Sequence, residues 1–228
     1  MLGILIELIV SWVLVWFFER KNLSVLGLKP SRERSKDLIF GIAASASISA
    51  IYYLSIAYLS GGKWTINEQF SLQSFFRGAW WTMESVLFEE LIFRGVLLYI
   101  AIIKLGMKLG CIISAVSFGI YHWFSYNVLG DAGQMAITLV VTGIAGLMFA
   151  FAFALSKSLY LPIGLHYGYN LISIVIFSNG PLGQQALTLK DANQLGSLLS
   201  TGFFFYQLLA LPLIVLWYLR AERQPKAT

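Results

Sequence analysis

The chain has 228 residues, 58% of them AVILMFWYC and 12% charged, with a mean hydropathy of +0.74 and a formal net charge of +5. A soluble domain of this size is about a quarter charged, so the composition excludes a water-soluble enzyme, a disordered chain and a collagen-like fibre. What remains is an integral membrane protein, an all-α polytopic helical bundle, with 1–228 forming one membrane-embedded unit.

A spanning helix needs about 20 mostly apolar residues. Seven runs qualify as candidates, at 2–18, 37–60, 80–101, 109–127, 134–155, 160–178 and 201–219. No basic residue precedes the first run, and Arg20 and Lys21 follow it. This pattern predicts a retained first helix with its N-terminus outside rather than a cleaved signal peptide. Gly-Gly-Lys at 61–63 ends the second run. The stretch 66–79, where Phe70, Phe75 and Phe76 alternate with Glu68 and Arg77, reads as an interfacial helix. Leu-Gly-Asp at 129–131 and Asn-Gly-Pro-Leu-Gly-Gln-Gln at 179–185 separate later runs. Pro162 suits the first turn of the sixth helix, and Gly164 and Gly168 would let a neighbouring helix come close. Trp80, Trp81, Trp123 and Tyr126 read as interface anchors.

The Lys/Arg distribution supplies an orientation. Segments 19–36, 102–108 and 156–158 and the tail after 219 hold twelve basic residues, whereas the alternate loops hold only Lys63, Arg77 and Lys190. The asymmetry places the C-terminus in the cytoplasm and leaves the Asn22-Leu-Ser24 sequon unused. It also explains the positive charge without nucleic acid, because the basic residues lie between apolar runs and lack interleaved aromatics. The compact chain suits a prokaryotic plasma membrane. Cys111, the only cysteine, excludes an intrachain disulfide and a Cys-based zinc cage.

The third run is the informative one. Glu84, Glu89, Glu90 and Arg94 all fall within it. Each such charge facing lipid at the bilayer centre costs roughly 2.5–3.5 kcal/mol, so these groups must pair, neutralise or line a cavity. Glu90 and Arg94 are spaced i,i+4 and share a face. Glu89 points about 100° away from Glu90 and is left over. Glu84 and Glu7, nearer helix ends, read as interfacial or paired. Both histidines lie in predicted spans. His122 follows Phe118 at i+4, and His166 precedes Asn170 at i+4. A glutamate, two histidines and an asparagine on three helices can activate water and stabilise an oxyanion. Glu89, His122 and His166 are equally a ligand set for a Zn²⁺ ion with one open position. Rise per residue puts Glu89 near mid-membrane, His122 closer to the outer side and His166 closer to the inner side, so convergence requires tilted helices or a cavity.

The run Glu89-Glu90-Leu-Ile-Phe-Arg94 resembles the EExxxR motif of the CPBP family, the CAAX proteases and bacteriocin-processing (Abi) enzymes. Phe118-Gly-Ile-Tyr-His122 is similar to that family's FxxxH motif, and His166-Tyr-Gly-Tyr-Asn170 to its HxxxN/D motif. The three occur in family order, each on its own predicted helix, within a core at about 80–178. The resemblance implies an intramembrane endopeptidase acting on a membrane-associated peptide or protein. It implies Glu89 as general base activating water with His122, and His166 and Asn170 as oxyanion stabilisers. Glu90, counted with the catalytic residues, and Arg94 would hold the third helix and tune the site, and Phe118 would pack beside His122. Family members have been described both as metalloproteases and as metal-independent glutamate proteases.

Other intramembrane proteases are excluded by motif. The chain has no HExxH, no GxSxG-like serine, and Val128-Leu-Gly-Asp131 lacks the first glycine of GxGD. Two other classes fit the polar groups. One is an ion-coupled transporter with Glu89, Glu90, His122 and His166 as a relay, against which stands the lack of an internal repeat. The other is a non-catalytic scaffold or bacteriocin-immunity protein, against which stand the intact motifs.

Overall fold

The computed structural model describes residues 2–177 and 185–223. Its α-helices are α1 (Leu2–Glu19), α2 (Arg32–Ser60), α3 (Leu72–Phe93), α4 (Val96–Leu105), α5 (Met107–Ser125), α6 (Ala132–Ser156), α7 (Tyr160–Asn170) and α8 (Ser197–Arg223). A 3₁₀ turn covers Leu23–Leu26, and α7 runs on into π-helical turns over Leu171–Phe177. Strands β1 (Lys63–Ile66) and β2 (Leu187–Lys190) pair antiparallel, with Lys63 opposite Lys190. Helix occupies each of the seven apolar runs. Among the described residues, six helices are long and apolar enough to cross a membrane: α1, α2, α5, α6, α8 and α7 with its π extension. The all-α membrane bundle is therefore the observed architecture. The turn at 179–185 lies, apart from Gln185, outside the described residues, as does Lys226.

Two segments depart from the sequence expectation. The third run is not one helix over 80–101, because α3 ends at Phe93 and α4 starts at Val96. Gly95 makes the break, where a Cβ would fall onto the Leu91 carbonyl oxygen. Nor is 66–79 a separate interfacial helix. Ile66 closes β1, Ser71 caps α3 by accepting from the Ser74 N–H, and Phe75, Phe76 and Arg77 lie in the first two turns of α3. A polar N-cap so close to the apolar run lets helix propagate straight through it.

The segments that the charge distribution grouped together do meet at one end of the bundle. Lys104 pairs with Glu19 at 3.0 Å, Lys21 Nζ donates to the Tyr99 hydroxyl at 2.8 Å, and the Leu159 N–H donates to Leu26 O at 3.1 Å. Gly27, with φ 64°, packs its Cα so close to the Lys157 carbonyl that no side chain fits. The strands mark the opposite end, where the Asn193 N–H donates to Ser60 O at 2.9 Å.

The seam between α2 and α7 brings the backbones into contact. Gly164 and Gly168 do admit a close neighbour, and that neighbour presents Gly41 and Ser45. A Cβ at Gly164 would lie 2.6 Å from Leu38 O, and one at Gly41 2.8 Å from Leu165 N. Small residues four apart on both helices build this approach, as membrane helices commonly do. Ser45 Oγ donates to Gly41 O at 2.7 Å, so its hydroxyl is satisfied within its own helix. The seam fixes α7 against α2 and turns its other face toward α3 and α6. On the outside, Leu5, Ile9, Trp12, Trp16 and Phe17 of α1 are exposed, as lipid contact requires.

Candidate active site

The polar groups of three helices converge beside the α3–α4 break. Arg94, which caps α3, is fully buried and donates through Nη1 to Glu90 Oε1 at 3.2 Å, one turn back. The same Glu90 oxygen lies 2.8 Å from Nδ1 of His166 on α7. Glu90 is also fully buried, so this carboxylate ties α3, its own cap and α7 together. A carboxylate without a proton only accepts, so the contact sets Nδ1 as the protonated ring nitrogen and turns Nε2 outward. That Nε2 faces Glu89 Oε2 at 3.8 Å, too long for a direct hydrogen bond. Among the described residues, Glu89 Oε2 has no hydrogen-bond partner.

Aromatic rings hold the charges in place. The Arg94 guanidinium carbon lies 4.0 Å from the Phe118 ring centre and 5.0 Å from that of Phe149. Gly146 leaves it room, since a Cβ there would come within 3.3 Å of Arg94 Nη2. His166 stacks on Phe149, with centroids 4.9 Å apart and planes at 19°. Desolvated cation–π contacts of this kind stabilise by about 2 kcal/mol. Neither Phe149 nor Gly146 stands out in the sequence, because both sit in an uninterrupted apolar run.

His122 joins through Phe118. The Phe118 ring meets His122 edge-on at 4.4 Å and His166 at 6.0 Å, so one aromatic spans the two imidazoles despite their different expected depths. His122 Nδ1 lies 2.8 Å from Phe118 O. A carbonyl only accepts, so Nδ1 carries the proton and Nε2 keeps its lone pair. Tyr126, expected at the interface, is 60% exposed and also packs on His122 at 5.0 Å. Trp123, expected there too, donates its indole N–H to Met135 O at 2.8 Å and so ties α5 to α6. Asn170, half-buried, is the last residue of α7, where the helix widens into π turns; such insertions are frequent at functional sites.

Glu89, Glu90, Arg94, His166 and Phe118 therefore come together as one cluster, with His122 against Phe118 and Asn170 one turn beyond His166. Glu84 lies apart, lining a crevice of about 280 Å³ with Gly3 and Ile4 of α1. Glu89, His122 and His166 do not converge as a zinc ligand set in this arrangement: among the described residues no three His, Cys, Asp or Glu side chains are close enough to share an ion.

Residues 71–172 match the family described as type II CAAX prenyl endopeptidase Rce1-like. That segment contains all three motifs and runs from the cap of α3 to the start of the π turns. No curated protein and no solved structure matches the chain.

Proposed function

We propose that this chain, whose residues 71–172 belong to the type II CAAX prenyl endopeptidase Rce1-like family, hydrolyses peptide bonds of a membrane-associated substrate with Glu89 as the general base. At the family level it is a CAAX-protease-like intramembrane endopeptidase, built as a multi-pass membrane protein. The observation supporting the finer reading is the unequal treatment of two neighbouring carboxylates. Each keeps one unbonded oxygen among the described residues, but Glu90 Oε1 is bonded to both Arg94 and His166, whereas Glu89 Oε2 stands 3.8 Å from His166 Nε2 with room for a water between them.

Charge balance organises the mechanism. Two carboxylates and Arg94 leave one negative charge in an apolar environment, and one proton on the Glu89–His166 pair cancels it. With that proton on Nε2, His166 is an imidazolium held by Glu90, and Glu89 is a base. Water attacks the substrate carbonyl carbon as Glu89 takes its proton. The lone pair of His122 Nε2 accepts the second water hydrogen and aligns the nucleophile. Negative charge forming on the carbonyl oxygen is met by His166 Nε2–H and the Asn170 amide. On collapse the C–N bond breaks, and Glu89 returns its proton to the leaving amine nitrogen. Arg94 and Phe149 touch neither water nor substrate and act by positioning Glu90 and His166. The whole of 1–228 works as one unit, with the N-terminus outside and the C-terminus in the cytoplasm of a prokaryotic cell.

The test is terminal-peptide proteomics on membranes from cells carrying wild-type protein or Glu89→Gln at matched expression. New protein termini appear with wild type and fall by on the order of 10³-fold with the variant. Identical termini in both would overturn the assignment.

A further inference from the structure

One intramembrane carboxyl has no part in the mechanism above. Glu7 lies on α1, outside the segment that matches the family, and both of its carboxyl oxygens are buried without a hydrogen-bond partner among the described residues. A carboxyl so placed is costly unless water or a proton satisfies it. Glu7 shares a helix face with Gly3 and Ile4, four and three residues before it, and with the buried Ser11 after it. Gly3 and Ile4 line the crevice of about 280 Å³ between α1 and α3, whose α3 wall is Trp81, Glu84, Ser85 and Phe88. A polar crevice of that volume holds several waters.

The crevice leads from the membrane boundary toward the candidate base. It sits at the end of α1 opposite the Glu19–Lys104 pair, and Trp81 in its wall suits the headgroup level. Trp81, Ser85 and Glu89 follow one another at intervals of four and form one stripe down α3. The descent from Trp81 to Glu89 is about 12 Å at 1.5 Å per residue. Ser85 stands midway, in the crevice wall, and its hydroxyl donates to the Glu89 carboxylate. A Cβ at Gly3 would lie 3.4 Å from the Phe88 ring, so Glu7, one turn deeper on α1, faces the lower end of that stripe. The Tyr121 hydroxyl on α5 is within electrostatic reach of both Glu7 and Glu89, so the two carboxyls border one region.

We propose that the α1–α3 crevice is the inlet through which the hydrolytic water reaches Glu89, with Glu7 as the positioning residue that holds water inside it. This rests on the endopeptidase reading and gives α1 a part in the reaction.

An inlet implies aqueous access inside the bundle. Ser85→Cys and Leu5→Cys would be made separately in the full chain carrying Cys111→Ala, each in lipid nanodiscs, and treated with a charged methanethiosulfonate. That reagent captures a thiolate in contact with water, so Ser85→Cys should react about tenfold faster than Leu5→Cys. Simple exposure predicts the reverse order, because Leu5 is 55% exposed and Ser85 is half-buried. Adding Glu7→Leu should slow the labelling of Ser85→Cys about tenfold. In the chain with its own serine and cysteine, Glu7→Leu should lower kcat about tenfold and leave KM unchanged. Glu7→Gln still bonds water and should recover most of that rate. The melting temperature of Glu7→Leu should not fall, since an apolar group replaces an unpartnered carboxyl. If Glu7→Leu fails to fold, the Ser85→Cys and Leu5→Cys rates decide alone. Equal labelling at the two positions, or a wild-type kcat in Glu7→Leu, would overturn the inlet and leave the protease intact. Fast labelling of Ser85→Cys without any Glu89-dependent cleavage would support the water path and overturn the endopeptidase reading.

Discussion

Glu89 and Glu90 are consecutive on α3, yet they face different regions of the molecule. Glu90 looks into a dry compartment made of Arg94, Phe118 and Phe149, where its side chain is fully buried and bonded to a guanidinium and an imidazole. Glu89 looks along the other face of the helix, 12% exposed and 3.8 Å from His166 Nε2. About 100° of rotation around α3 separates the carboxylate bonded to Arg94 and His166 from the one proposed as the base. His166 is the hinge of the comparison, because its two ring nitrogens face one carboxylate each. The pair teaches that a costly buried ion pair can serve by orienting a neighbour rather than by adding stability.

Removing one charge from the dry side is the hardest blow to that arrangement. Glu90→Gln leaves Arg94 buried without a counter-charge and should destabilise the protein by about 3–5 kcal/mol. Glu89→Gln should barely move the melting temperature in detergent while abolishing cleavage. Replacing both partners, Glu90→Met with Arg94→Leu, should recover much of the stability. Activity should stay absent, because His166 Nδ1 has lost its acceptor. Equal melts for Glu89→Gln and Glu90→Gln would erase the distinction between the two sides.

Asn170 sharpens the reactive side. Asn170→Ala should lower kcat by on the order of 10²-fold, the usual effect of losing one oxyanion donor. The fold should hold, since its backbone oxygen still receives the Ser173 hydroxyl, 3.4 Å away. A wild-type rate in that variant would remove Asn170 from the mechanism.

These contrasts also mark what is legible in the sequence. Apolar runs reveal helices because span length and hydropathy are properties of single segments, and Glu89, Glu90, Arg94, His122 and His166 stand out as polar groups where lipid forbids them. The strands are hidden, because Thr65 finds Thr188 at a separation of 123 residues and each strand alternates apolar with polar over only four residues. The α3–α4 break is hidden as well, for Gly95 reads as one more small residue in an apolar helix until the Leu91 carbonyl is seen beside it. Among the site residues, Phe149 is invisible because its role depends on which helix it faces. The motif order pairs Glu89 with His122, whereas the nearest imidazole nitrogen belongs to His166. Register between helices decides that, and composition does not encode register.

The smallest expected effect concerns the seam that holds His166 in place. A Cβ at Gly168 would strike Ser45 Oγ, and it would come within 2.8 Å of Ile42 Cα. Gly168→Ala should therefore force α7 away from α2 and cost about 1–3 kcal/mol, the usual range for overpacking. Gly202, on α8, is the matched control, since nothing lies within 4 Å of the Cβ it would gain. Gly202→Ala should be neutral or stabilise by up to about 1 kcal/mol through helix propensity alone. Thermal melts in one detergent, run beside a cleavage assay, separate the two. Because α7 carries His166 toward Glu90, a shift of the seam should lower kcat along with the melting temperature in Gly168→Ala and leave both in place in Gly202→Ala. If the two glycines behave alike, the close approach of α2 is not what sets His166 against the paired carboxylates.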